Sequence, residues 1–137
     1  MSFFRIFDTA GSAMSAQSVR LNTTASNLAN ADTVASTPEA AYRAKEPVFA
    51  AIQQGLGRNA ETSGVRVTGI SESQVPVGSR FEPGNPMANE DGYVFTPNVN
   101  PVDELVNMIS ASRAYQNDVE VMNSAKQLML KTLELGK

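Results

Sequence analysis

Residues 8–32, DTAGSAMSAQSVRLNTTASNLANAD, carry a single charge, Arg20, between their two end aspartates. Phe7, Ala10, Met14, Leu21 and Leu28 recur here at three- and four-residue steps, with Gln17 and Thr24 as polar members of the same row. That spacing puts the row along one side of an α-helix. A helix facing water normally carries charge on its outer face; this one carries Ser, Thr, Asn, Gln, Gly and Ala. Small uncharged residues allow close approach from more than one side. The expectation is that neighbouring subunits cover this helix and that the protein is a building block.

The helix is predicted from Ser2 or Phe3 to Asn30, with Ser2 as N-cap. Asn27-Leu28-Ala29-Asn30-Ala31-Asp32-Thr33 marks its end, where Asn can take the left-handed cap conformation. At the other end of the chain Leu105, Met108, Tyr115, Val119, Met122, Met129 and Leu133 form a second helical row, with Ser112 in step. Asn100 is the predicted N-cap, Pro101 sits at N1, and Asp103 and Glu104 fill the first turn. This helix should run to Leu135 and stop at Gly136. At ~1.5 Å per residue it is about 50 Å long, too long for a small middle to cover alone.

Between the helices, Val34 to Ala41 reads as a Pro-containing linker. Tyr42 to Phe49 is a predicted edge strand, because Pro47 would break a central ladder. Gln53 to Gly64, with three glycines and no period, reads as a loop. Gly64-Val65-Arg66-Val67-Thr68 alternates as a strand should. Ser73 to Arg80 reads as a strand interrupted by Pro76, Glu82-Pro83-Gly84-Asn85-Pro86 as turn chemistry, and Gly92 to Thr96 as a last short strand. The organisation is therefore an α+β fold: an N-terminal helix over 1–33, a small β-rich middle over 34–99 and a C-terminal helix over 100–137. The two long terminal helices are expected to pair as a coiled-coil-like core.

Composition narrows the function. The 137 residues include no Cys, His or Trp, and the formal net charge is −3. Disulfides and thiol chemistry are thereby excluded, and the commonest general base and transition-metal ligand are missing. No basic surface is expected to draw nucleic acid. Asn89-Glu90-Asp91-Gly92 lacks the spacing and closing glutamate of a calcium loop and reads as a polar turn. Gly55-Leu56-Gly57 lacks the third glycine of a dinucleotide fingerprint. No catalytic, cofactor or metal site is read, nor a small-molecule substrate. No apolar run approaches the ~20 residues that span a bilayer, and the first residues do not have the form of a secretory signal.

The candidate site is an interface. Phe3, Phe4 and Phe7 belong to the strongest aromatic cluster, suited to a hydrophobic contact within or between subunits, or to a membrane or channel-docking tip. Asn27 and Asn30 share a helix side and cap the helix, offer amides to a neighbour, or do both. Arg113, the only charge between Leu105 and Asn117, is either solvated or paired with an acidic group on a neighbour. With these stand the two apolar rows, Met14, Leu21 and Leu28 on the first helix, and Leu105, Met108, Ile109, Tyr115, Val119, Met122, Met129 and Leu133 on the second.

Asn27 to Thr33 resembles the N-terminal signature of the bacterial flagellar axial proteins, the rod and hook subunits. Asp8 to Ala13, Arg20-Leu21-Asn22, Tyr42-Arg43-Ala44-Lys45, Phe81 to Pro86, Ser112 to Gln116, Val119 to Asn123 and Leu130 to Leu133 extend the likeness to the basal-body rod protein family. Val34 follows Thr33 directly, and the tyrosine arrives only at Tyr42; this favours the C-type branch of the proximal rod. The resemblance implies paired terminal helices stacked helically around a channel, with a β-rich outer middle. It implies export through the flagellar type III apparatus without a cleaved signal, and assembly in the periplasm with itself, other rod proteins and basal-body ring and adaptor proteins. A monomeric two-helix module that binds an amphipathic partner helix is the alternative from a different class.

Overall fold

The computed structural model describes residues 3–54 and 61–136, with the side chains of 3, 54 and 61–63 set aside. Helix α1 spans Phe3–Ala29, strands β1 to β4 span Lys45–Gln54, Glu61–Glu72, Gly78–Phe81 and Tyr93–Thr96, and helix α2 spans Pro101–Leu135. The α+β fold is the one expected. α1 and α2 run antiparallel: Arg20 Nη2 donates to Asn107 Oδ1 at 3.1 Å, while Ile6 lies in a groove with Ala125 and Leu128. α2 is 35 residues long and α1 is 27. At ~1.5 Å per residue, about 12 Å of α2 has no counterpart in α1.

The start of α2 follows its sequence signals. Asn100 Oδ1 accepts from Val102 N at 3.1 Å, Pro101 opens the helix, and Asp103 and Glu104 lie in its first turn. Pro at the first helical position forfeits only a donor that had no partner there. Gly136 closes the helix at φ −88°. The proposed Ser2 cap lies outside the described residues.

α1 ends differently from expectation. Among the described residues no non-glycine residue has positive φ, so Asn30 takes no left-handed cap. Its side chain closes the helix instead: Asn30 Nδ2 donates to Ser26 O at 2.8 Å, and Thr33 Oγ1 donates to Asn30 O at 2.8 Å. Each of these carbonyls also accepts a backbone N–H at 3.2 Å, Ser26 O from Asn30 and Asn30 O from Thr33, so the side chains reinforce the closing turn.

The middle holds two antiparallel two-stranded sheets, β1–β2 and β3–β4. Where it is described, the stretch 53–64 expected as a loop is strand: Gln53 pairs with Thr62 and Gln54 with Glu61, while 55–60, including Gly55 and Gly57, lie outside the described residues. Backbone pairing along a two-stranded ribbon needs no apolar alternation, so the ladder outruns the hydrophobic pattern. β1 begins three residues later than predicted and tolerates Pro47, opposite Ile70, because both strands of such a sheet are edges. In 73–80 only the part from Gly78 is strand, and Pro76 lies outside it. The linker contributes one bridge: Ala35 exchanges both backbone hydrogen bonds with Phe95 at 2.9 Å. Fully buried Val94, with Ala35, Ala41 and Ala44 also buried, forms a small core here. Gly92 turns the chain at φ +80°, where a Cβ would press on Phe81 and Pro83.

The chain itself covers part of the α1 surface that the sequence reading gives to neighbours, while Ser15, Ser18, Asn22, Ala25 and Ala29 stay exposed. α2, β1 and β2 all pack against α1. One row, with Ala10 and Thr24 buried, follows the α2 side; a second row, Ser12, Ala16, Thr23 and Asn27, follows the ribbon side, with the last three buried. Small residues let a β-ribbon lie against a helix that already has a partner.

Candidate subunit interface

The predicted contact residues fall into three environments. Phe7, Met14, Leu21 and Leu28 of α1 and Met108, Tyr115, Val119, Met122 and Met129 of α2 are half-buried. Ala111 and Ala125 are buried on α2, letting the helices approach closely at those two levels. The helix–helix seam therefore uses alanines at its closest points and long side chains at its flanks, the interdigitation expected of packed helices.

A second group is turned away from that seam. Leu105 and Ile109 are exposed, Ile109 by 55%, and so are Val102 and Val106, which the sequence reading passed over. Positions 102, 105, 106 and 109 form one stripe at helical spacing, on the side of α2 opposite Ala111. Arg113 continues that side; it is exposed and has no ion pair among the described residues. Leu133 is 64% exposed, and Leu128, Leu130 and Leu135 are exposed with it on the last turns of α2. Phe4 is the corresponding exposed residue of α1, at 73%. The side chain of Phe3 lies outside the described residues.

The asparagines form the third group. Asn27 is 1% exposed. Its Oδ1 accepts from Lys45 N at 2.8 Å and from Tyr42 OH at 3.0 Å, and its Nδ2 donates to Lys45 O at 2.9 Å. Every one of these partners is in the same chain, so its amide joins α1 to β1. Asn30 is half-buried and closes its own helix. Tyr42, Asn98 and Ser12 were not read as structural residues. Asn98 accepts from Ala44 N at 2.7 Å and donates to Val75 O at 2.7 Å. Such roles depend on which backbone groups meet in space, and no local pattern announces them.

Electrostatics add one feature. Asp118 faces α1 in a groove with Ile6, Thr9, Ala10, Ala13 and Val121. Removal from water raises its carboxyl pKa above the ordinary value. Arg20, the lone charge of the 9–31 stretch, is used within the chain on Asn107. Among the described residues no convergent set of acid, base and nucleophile accompanies these groups. No helix among the described residues is long and apolar enough to cross a membrane.

Comparison with known proteins matches the same two ends. Residues 7–34 match the family described as "Flagella basal body rod protein", and residues 90–135 match "Flagellar basal body rod FlgEFG protein C-terminal". The chain is 56% identical over 137 residues to "Flagellar basal-body rod protein FlgC" of Yersinia enterocolitica, covering 99% of each chain. It is 54% identical over 136 residues to the protein of that name from Escherichia coli O6:H1, again at 99% of each. The Bacillus subtilis protein of that name is 33% identical over 150 residues, covering 100% of each. Two helices that pack on each other and still present apolar side chains outward, in a chain matching these relatives end to end, lead to one assignment: the chain belongs to the flagellar basal-body rod protein FlgC family.

Proposed function

We propose that this chain is a structural subunit of the proximal rod of the flagellar basal body and assembles through its terminal helices. It works without catalysis. Residues 1–33 and 100–137 build the axial part, which encloses the export channel and transmits torque, and residues 34–99 form a β-rich outer part. The subunit crosses the inner membrane through the flagellar type III apparatus with no cleaved signal. It joins copies of itself, other rod proteins and basal-body ring and adaptor proteins in the periplasm.

The observation that carries this reading is the uncovered face of α2. Val102, Leu105, Val106 and Ile109 leave about half or more of their surface in water. Completing their burial against a neighbour contributes roughly 1 kcal/mol each, half the usual value for a whole aliphatic side chain. Leu128, Leu130, Leu133 and Leu135 add a second apolar surface where α2 outruns α1. Phe4, Leu105, Ile109, Arg113 and Leu133 are thus the predicted contact residues best placed to meet a neighbour, with Val102 and Val106 joined to them. Asn27 acts inside the subunit.

The test is a Val106→Asp, Ile109→Asp double variant expressed in cells lacking the native chain. Both positions are exposed, so the purified variant keeps the helical circular dichroism of the wild type. It should be missing from isolated basal bodies, and the cells should be non-motile. Normal incorporation would remove the outer face of α2 from the assembly. A monomeric helix-binding module predicts instead no change in state with concentration and no recovery of the wild type in basal bodies.

A further inference from the structure

We propose that Asn27 and Ser12 are positioning residues that fix the β1–β2 ribbon against α1 at two points, so that helix pair and ribbon enter the assembly as one rigid unit. Entry into the assembly as one unit rests on the rod reading; the two-point attachment stands without it.

The base of the ribbon is held through Lys45. Its N–H and its C=O are both taken by the carboxamide of Asn27, at 2.8 and 2.9 Å, as a neighbouring strand would take them. Lys45 opposes Glu72 in the ladder, so these two groups leave from the open edge of β1. Tyr42 OH, 3.0 Å from Asn27 Oδ1 and 3.1 Å from Ser26 Oγ, locks the carboxamide in place. An unpaired strand edge is a template for unwanted pairing; here a helix side chain closes it.

The second point lies further along the ribbon. Val65 opposes Ala51, and its N–H donates to Ser12 Oγ at 3.1 Å, leaving from β2 and not from β1. Gly64 rests directly on the helix: a Cβ there would stand 2.6 Å from Ser12 Oγ. The ribbon therefore offers α1 the edge of β1 at its base and that of β2 beyond it. It turns about its own axis between the two. The register shift between Val48 and Phe49 lies in that interval, and bulges increase local twist. Ser12 and Asn27 are about 22 Å apart along α1. One hydrogen-bonded joint would leave the ribbon free to swing; two, at that separation, set both its direction and its rotation.

The chain has no cysteine, so a cross-link can be placed cleanly. A Cβ at position 64 would lie 3.3 Å from that of Ser12, close to disulfide spacing. In the purified full-length Ser12→Cys, Gly64→Cys variant, mild oxidation should give an intramolecular disulfide at every dilution. A Ser15→Cys, Gly64→Cys control should not. In cells lacking the native chain, the oxidised form should be recovered from basal bodies with motility kept. Failure of the disulfide to form in the purified chain overturns the attachment. Basal bodies that admit only the reduced form overturn the rigid unit, since the ribbon would then have to leave α1. A disulfide that forms while neither variant nor wild type enters basal bodies supports the attachment and sinks the rod reading. Amide exchange separates the two points: Ser12→Ala should speed exchange at Val65 about tenfold and spare Lys45, and Asn27→Ala should do the reverse. Unchanged exchange at both amides would make these residues bystanders.

Discussion

α1 and α2 start from similar rows of apolar residues and end in different situations. α1 is covered on two sides, by α2 and by the β1–β2 ribbon, while Ser15, Ser18, Asn22, Ala25 and Ala29 stay exposed on a third; among its large described hydrophobic side chains only Phe4 is exposed. Among the described elements α2 packs on α1 alone, and it leaves nine large hydrophobic side chains exposed, from Val102 to Leu135. The helix that lacks charge is thus the one its own chain covers on two sides. The helix left uncovered carries acids and bases along its length, with its apolar stripe confined to its first turns and its apolar tip to its last. Lack of charge marks a surface that will be covered; it does not say by whom. Exposed aliphatic groups in a charged context are the better guide to partners outside the chain.

The sharpest way to break this contrast uses two positions on α2 two residues apart. Ala111 is fully buried against α1, and Ile109 is exposed. Ala111→Asp should cost the isolated protein about 3 kcal/mol or more, because a charge is buried without a partner. Ile109→Asp should leave the urea midpoint almost unchanged and act only on assembly. Equal loss of stability in both would mean that α2 has no separate outer face.

Next in size is Asn27→Leu, which keeps the bulk and removes the amide. It strands the N–H and C=O of Lys45 and the hydroxyl of Tyr42, at a cost of about 3 kcal/mol in chemical denaturation. A loss confined to rod assembly, with unfolding unaltered, would make Asn27 an intersubunit residue instead.

Asp118 yields a smaller, pH-dependent effect. Burial raises its carboxyl pKa above 3.8, so the folded chain holds that proton more tightly than the unfolded one. Its favourable contribution is complete below the ordinary carboxyl value and is lost as the pH climbs through the raised one. Asp118→Asn should therefore gain stability relative to wild type between acid and neutral pH. A difference in urea midpoint that stays constant with pH would overturn this.

The smallest effect is expected of Arg113→Glu. The guanidinium is exposed, so monomer stability should not move, and an exposed intersubunit pair contributes at most about 1 kcal/mol per contact. Basal-body yield should fall with rising salt in the wild type and be low at all salt concentrations in the variant. Identical yields would leave Arg113 simply solvated.

Much of this could be read before any fold was known. The Asn100-Pro101 start, the helical rows, the Gly92–Thr96 strand and the turn after Phe81 follow from local chemistry, which acts over a few residues. The length of the β1–β2 ribbon could not, because Gln53, Gln54, Glu61 and Thr62 are paired by partners across the hairpin, not by their own pattern. Nor could the division of contact residues. Met108 and Ile109 are neighbours in sequence, yet one turns toward the seam and the other to water. The Ser12, Ala16, Thr23, Asn27 row did carry a signal, a second small-residue side at helical spacing. It shows as lack of charge, and in the structure the β1–β2 ribbon covers that row.

The amino-acid sequence alone determined that two long helices form, where they begin and end to within a residue or two, and that chemistry requiring histidine or cysteine is absent. Periodicity and capping are properties of a short segment and survive without context. Only the tertiary structure decided which apolar side chains are used up inside the subunit and which remain. Burial depends on what arrives from distant parts of the chain, and here that is a β-ribbon laid along α1 and, among the described residues, no element laid along the outer face of α2.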